Sequence, residues 1–224
     1  MTLLAGGGRV ELSGTTTANW VAKTANLLHA QGSPSRVGLL LPLHWQVVTL
    51  LLGGVAAGAT VVVAERVEQL AGCEVVFVTA EHAGAALDVC GGEVLAVSTA
   101  PLGGRLRDLP RMVLDAGAEL PSYGDLLDRP AASGWAVEWA GGPVGDLPDH
   151  DLGPADRVLT VLPPWTSQGL VTGLLGPLAA GSALVLAPAG LDAAAAAGEQ
   201  VTACAGADLP GVRRLDHPQA VRPG

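Results

Sequence analysis

Two long stretches of the chain carry no charge after an opening arginine, and each is divided by its own punctuation into strand, helix and strand. In RVGLLLPLHWQVVTLLLGGVAAGATVVVA, Arg36 to Ala64, the aliphatic run Arg36 to Leu41 ends at Pro42. A helical stretch then stops at Gly58, and Ala59 to Ala64 reads as strand again. In RVLTVLPPWTSQGLVTGLLGPLAAGSALVLAP, Arg157 to Pro188, the turn falls at Pro163-Pro164-Trp165 and the stop at Ala179-Ala180-Gly181. Both stretches run R-V-x-x-x-L-P, helix, A-A-G, aliphatic strand, with 14 residues from Pro42 to Ala56 and 16 from Pro163 to Ala179. The chain thus carries two copies of one βαβ unit, and what the copies share is architecture more than chemistry.

The remaining pattern agrees with that class. Thr15 can cap a helix over Thr16 to Gln31 with Trp20, Ala25, Leu27 and Leu28 on its apolar side. Glu74 to Thr79 and Glu93 to Ser98 read as strands around a short helix, Ala80 to Cys90. Strands alternating with helices predict an α/β fold of two βαβ-based subdomains, with mainly parallel sheets covered by helices. Residues 1–130 form the first subdomain, 131–156 a Pro/Gly-rich linker or irregular crossing with Trp135 and Trp139 buried under it, 157–205 the second and incomplete subdomain, and 206–224 a loosely ordered tail. In the second copy Gly169, Gly173, Gly176 and Ala180 fall on one narrow helical face where backbone can approach closely. Pro177 is expected to bend that helix near its end.

Charge and composition narrow the chemistry. A formal charge of −9 and a pI near 4.8 argue against a nucleic-acid surface, and only one of the 12 basic residues, Lys23, is a lysine. Cys73, Cys90 and Cys204 form no C-x-x-C, and the five histidines show no H-x-x-x-H or H-E-x-x-H spacing. No metal site and no disulfide framework are indicated, and a reducing cytoplasm fits best. The uncharged runs are long enough to resemble membrane spans, but Pro, Gln, His and the A-A-G breaks cut them into shorter elements, so no span is expected. The amino terminus lacks the regions of a signal peptide.

Neither a G-x-x-x-x-G-K-[ST] nor a strand-linked G-x-G-x-x-G phosphate cradle occurs. The polar cluster Thr166-Ser167-Gln168 sits where a strand hands over to a helix, a place where α/β proteins often do chemistry. Trp165 to Gly169 reads W-x-S-x-G, one glycine short of the hydrolase nucleophile elbow, whose strained turn has little room for a Trp side chain. His217 would have to serve as its base from the tail. Ser167 reads better as a helix cap, and no catalytic residue is assigned.

The second copy resembles a segment of the adenylate-forming, AMP-binding superfamily, which includes acyl-CoA synthetases. There a line like D-x-x-L-x-x-L-P-[LM]-F-H-x-x-G-L recurs, matched here by Asp156, Leu159, Leu162, Pro163, Gly169 and Leu170. The first copy and the helix before it are similar to that superfamily's opening helix, its D-R-V-A-[IL]-x-L-P strand and its helix ending in A-G-A-x-x-V. The resemblance implies a pocket wall at Trp165, Thr166, Ser167, Gln168 and Gly169, with Thr166 where the family has histidine. The family's phosphate loop, [ST]-S-G-[ST]-[ST]-G-x-P-K-G, is expected between Tyr123 and Asp156, where GWAVEWAGGPVGD has no lysine and no Ser/Thr cluster; Gly141-Gly142-Pro143 stands as its remnant. The Y-G-x-T-E-like motif, the ribose-binding aspartate and the lysine-bearing small domain are not found in these residues. The chain also resembles short AMP-binding-like proteins of high-GC bacteria, which implies a truncated, non-catalytic binding or scaffold module without a cofactor. A residual or split ligase completed by a partner chain, using ATP or AMP with Mg, and an acyl or small-ligand binder stay open, as does a protein partner or homo-oligomer. For Trp165 itself, the alternatives are core and pocket.

Overall fold

The uncharged strands are apolar on both faces because both faces are covered, and their alternation sorts side chains between layers. In the computed structural model, which describes residues 1–140 and 142–216, β1 (Thr2–Ala5) and β2 (Gly8–Glu11) precede α1 (Gly14–Ala30). Then come β3 (Arg36–Leu40), α2 (Trp45–Ala56), β4 (Thr60–Val63), β5 (Val75–Thr79), α3 (Ala83–Val89) and β6 (Glu93–Val97). β7 (Val113–Asp115), α4 (Ala116–Glu119), β8 (Ala136–Trp139) and β9 (Gly142–Pro143) follow. The second copy supplies β10 (Arg157–Thr160), a π-helix (Gln168–Leu175), α5 (Gly176–Ala179) and β11 (Ala183–Leu186), followed by α6 (Ala193–Gly198), β12 (Ala203–Ala205) and β13 (Arg213–Arg214).

Two sheets result, ordered β7-β6-β5-β3-β4-β8-β9 and β13-β12-β10-β11-β1-β2, parallel except for the edge pairs β8-β9 and β1-β2. Val37, Leu39, Val75 and Phe77 of the first sheet and Val158, Leu184 and Leu186 of the second share one buried cluster with Leu28 of α1, Leu50 and Leu51 of α2 and Leu170 and Leu174 of the π-helix. The helices therefore lie between the sheets. The alternate residues Val76, Val78, Val94 and Ala96 pack outward against α3, and Leu159, Val185 and Cys204 pack outward against Ala196 of α6. At about 25 cal/mol per Å² of apolar surface, this double burial is the main stabilising term.

The repeat read from the sequence is present as matched register. β3 pairs with β4 at Arg36↔Thr60 and β10 with β11 at Arg157↔Ala183, so the second crossover is two residues longer, as the spacing predicts. Each copy's opening arginine is held by a glutamate from another element: Arg36 Nη2 lies 2.8 Å from Glu138 Oε2, and Arg157 Nη2 lies 3.0 Å from Glu199 Oε2. Glu199, with a side chain 11% exposed, also accepts from Arg9 Nε at 2.6 Å, tying β2 to the end of α6. Its hydrogen bond to Arg9, and the positive charges of Arg9 and Arg157, hold the Glu199 carboxyl below the ordinary carboxylate value.

Several expectations change. The first eleven residues, grouped by sequence with the first subdomain, complete the second sheet, because β1 pairs with β11. Ser13, not Thr15, caps α1, its hydroxyl accepting from the Thr16 amide at 3.0 Å. Within the expected linker, β8 extends the first sheet beside β4. Val137 of β8 is buried, but Trp135 is 45% exposed, since it lies before the strand on the rim of an open trough with Leu51, Leu52, Val55 and Leu147. Residues 206–216, expected to be loose, carry β13 against β12 and bury Leu209 and Leu215; Arg213 also anchors them, its Nη1 donating to the Asp151 carbonyl. Among the described residues no helix is long and apolar enough to cross a membrane.

The second helix begins as a π-helix, with the Gly176 amide donating five residues back to the Val171 carbonyl. Pro177, which has no N–H to donate, then opens α5. The wider turn alters the glycine face. A Cβ at Gly169 would collide with the Pro163 carbonyl and one at Gly173 would stand 2.6 Å from Thr160 Oγ1, whereas Gly176 faces the His150 ring instead. In the first copy a Cβ at Gly53 would collide with Thr24 of α1 and one at Gly54 would stand 2.6 Å from Val61 of β4.

The turn entering the π-helix is closed by Thr166. Its Oγ1 donates to the Pro163 carbonyl and accepts from the Gly169 amide, both at 3.0 Å. The cap predicted at Ser167 is thus supplied one residue earlier, because Ser167 is already in helical backbone geometry at φ −53° and ψ −47°.

Three outcomes follow for stability. Gly53→Ala is expected to cost about 1–3 kcal/mol in urea denaturation through overpacking against Thr24, whereas Gly84→Ala, at a site with nothing within 4 Å, is expected to gain about 0.5–1 kcal/mol. Thr166→Ala is expected to lose about 0.5–2 kcal/mol and Thr166→Ser to recover most of it. Because folding depresses the Glu199 pKa, its contribution is complete above the ordinary carboxylate value of 4.5 and is lost as pH falls through the folded value. Melting temperatures followed from neutral to acidic pH should fall less steeply in that range for Glu199→Gln than for the parent.

Candidate functional site

In the first sheet β3 sits centrally, with β4 on one side and β5 on the other, so the chain reverses its direction of build between β3 and β5. Such a switch point leaves a crevice outside the carboxyl ends of the strands, where the following loops turn to opposite sides. A cavity of about 270 Å³ occupies this place, lined by Leu40, Leu41 and Pro42 after β3, Glu65 after β4, Thr79, Glu81 and His82 after β5, and Thr99 after β6. Trp165 closes it from the other sheet, half-buried against the central core while lining the cavity. It is therefore both core and wall. Thr166, Ser167, Gln168 and Gly169 do not line the cavity; they form the turn and helix start that fix Trp165 in place.

The polar lining is acidic. The Glu65 carboxylate has no hydrogen-bond or ion-pair partner among the described residues, and Glu81 Oε1 lies 3.5 Å from His82 Nδ1. His82 Nδ1 also lies 2.8 Å from Thr79 Oγ1. No lysine or arginine lines the cavity. The chain's one lysine is committed elsewhere: Lys23 Nζ on α1 donates to the Pro121 and Tyr123 carbonyls and lies 2.8 Å from Asp125 Oδ1. Other titratable groups are equally occupied. His44 caps α2, its Nδ1 accepting from the Gln46 amide at 3.3 Å, and burial drives its pKa down to about 4, so it is a neutral structural ring at ordinary pH. Burial raises all three free thiols, Cys73 to about 11, which leaves them poor nucleophiles.

Of the segment expected to retain the phosphate loop, Gly142 and Pro143 form β9, paired antiparallel with β8, with Gly142 at φ +118°. Gly141 and His217 lie outside the described residues. Neither Trp139-Ala140 nor Gly142-Pro143 brings a hydroxyl or a cation to it. Two larger troughs are apolar and lie away from the switch point. One of about 740 Å³ runs past α1, Leu126, Leu127 and the start of β11, and one of about 330 Å³ passes Trp135; Leu52 and Leu178 line both.

Sequence reasoning found Trp165 and missed Glu65, Thr79, Glu81, His82 and Thr99. These five fall in three separate stretches of the chain, at 65, 79–82 and 99, and form no motif. Their shared signal is position, each falling within three residues of a strand's carboxyl end.

The frame is that of the acyl-CoA ligases. The chain is similar to the Brucella canis acyl-CoA synthetase structure, with a TM-score of 0.71 at 19% identity over 91% of this chain and 44% of that one. It is also similar to a benzoate CoA ligase from Burkholderia xenovorans LB400, with a TM-score of 0.64 at 18% identity over 90% of this chain and 46% of that one. It thus spans less than half the length of each ligase. No family model matches. Among curated proteins it is 35% identical over 188 residues to a TIGR03089 family protein of Mycobacterium tuberculosis (strain ATCC 25618 / H37Rv), covering 80% of this chain and 77% of that protein. The match covers 77% of that relative but only 44% and 46% of the two ligases, so the relative is nearer this chain in length. With identity at this level over most of both chains, the protein belongs to the TIGR03089 family.

Proposed function

We propose that the chain is a non-catalytic binding or scaffold module built on part of the adenylate-forming frame. The observation that carries this reading is that, among the described residues, no lysine or arginine lines the switch-point cavity. Adenylation builds negative charge on an α-phosphate and needs donors aimed at it; losing one such donor costs about 2.7–4 kcal/mol of transition-state stabilisation. Here Glu65 and Glu81 line the switch-point cavity, the β8-β9 turn offers no hydroxyl or lysine in its described residues, and Lys23 is held by the 121–125 segment. A reducing cytoplasm, in which Cys73, Cys90 and Cys204 stay thiols, suits such a module.

A second reading is favoured by the open apolar troughs. Leu126 is 81% exposed and Trp135 45% exposed on their rims, surfaces that a partner chain or a second copy would cover. In that reading the chain is one part of a split ligase, and ATP or AMP with Mg binds only in the assembled complex.

Calorimetry of the full chain with ATP and magnesium is expected to show no heat of binding, and pyrophosphate release from ATP plus a fatty acid is expected to stay at background. Release by this chain alone would overturn the non-catalytic reading. Release only after addition of a partner chain would establish the second reading.

A further inference from the structure

We infer that the cavity beneath Trp165 takes a small organic cation, an alkylammonium group, in place of the anionic acyl or phosphate groups handled by ligases of this fold. The inference deepens the reading of the chain as a binding module and rests on it.

Three features of the lining lead to this class. First, the charge is weighted to one sign: Glu65 and Glu81 line the cavity, no arginine or lysine does, and the one basic group there, His82, lies 3.5 Å from Glu81 Oε1. An anion entering would face two carboxylates with a single imidazole to offset them, whereas a cation would meet the opposite charge. The Glu65 carboxylate is uncommitted, with no partner among the described residues. Second, the wall opposite the strand ends is an indole. A tryptophan face attracts a cation through its ring quadrupole, best of the aromatic side chains, and an alkylammonium pairs that attraction with apolar contact. Leu40, Leu41 and Pro42 supply apolar lining for its carbon groups, and Thr79 and Thr99 also line the cavity. Third, the volume of about 270 Å³ lies below the range of about 300–1,000 Å³ usual for drug-sized ligands, which rules out a nucleotide or a long acyl chain as a fully enclosed occupant.

The position of Trp165 is built in. The Thr166 hydroxyl fastens the turn to the Pro163 carbonyl and the Gly169 amide, and a side chain at residue 169 would collide with that same carbonyl. The ring is thereby held over the first sheet's strand ends by the second sheet's turn, so the cavity exists only where the two sheets meet.

The test uses choline, its neutral carbon isostere 3,3-dimethyl-1-butanol, and the anion 3,3-dimethylbutyrate, which has the same tert-butyl head with a carboxylate in place of the alcohol, each titrated into the full chain by calorimetry with tryptophan fluorescence in parallel. Choline is expected to bind at least tenfold more tightly than the neutral alcohol, with no binding of the carboxylate. Glu65→Gln combined with Glu81→Gln should remove that tenfold preference for choline over the alcohol. Both glutamates are exposed, so melting curves should show the variant folded. Trp165→Leu should weaken choline more than the alcohol and abolish the fluorescence response. Equal binding of all three, tighter binding of the carboxylate, or no choline binding at millimolar concentration would overturn the inference. Those results would leave the non-catalytic reading intact, since that reading fails only on pyrophosphate release by this chain alone.

Discussion

The approach of helix to helix and helix to sheet in the central layer is the constraint on which the rest of the structure depends. α2 and the π-helix lie between two parallel sheets, and both can do so because glycine replaces a side chain at each point of closest contact. Gly53 meets Thr24, Gly54 meets Val61, and Gly173 meets Thr160. With both faces of both sheets buried, almost no position along the central strands can hold a charge without an uncompensated desolvation cost. Chemistry is thereby pushed to the strand ends, and the cavity forms there.

Duplication of one βαβ unit explains the frame but not the site. Both copies begin with an arginine clamped by a distant glutamate and both cross to a parallel neighbour. They differ in the turn between strand and helix. The first closes on His44, a neutral buried cap; the second, two residues longer as a crossover, closes on Thr166 and throws Trp165 outward. Leu41 and Pro42 of the shared motif contribute apolar lining to the cavity, while Trp165, its aromatic wall, belongs to the part that is not shared.

Electrostatics at the strand ends follow from which strands converge there. A site for phosphate needs fixed donors or cations, and the polar groups at this switch point are Glu65, Glu81, His82 and two threonines. An acidic net charge by itself would not show this, since a charge of −9 is compatible with a locally basic pocket. What matters is that Glu65 and Glu81 line the cavity and no arginine does, while Arg36 and Arg157 are held in clamps with Glu138 and Glu199.

The unbroken aliphatic runs, the proline and A-A-G stops and the recurrence of R-V-x-x-x-L-P determined by themselves the α/β class, the two parallel units and the length difference between them. These are local signals, set by continuous apolar stretches and by backbone stereochemistry at proline and glycine. Local pattern could not assign Thr2 to Glu11 to the second sheet, place β8 beside β4, or dock Arg213-Arg214 against β12, because each depends on a partner far along the chain. The same holds for the site. Trp165 was visible at its turn, but its neighbours come from four separate strand ends with no common motif. Only the order of strands in the sheet decided that Glu65, Glu81 and His82 would converge beneath it, because pairing brings together residues that sequence distance keeps apart.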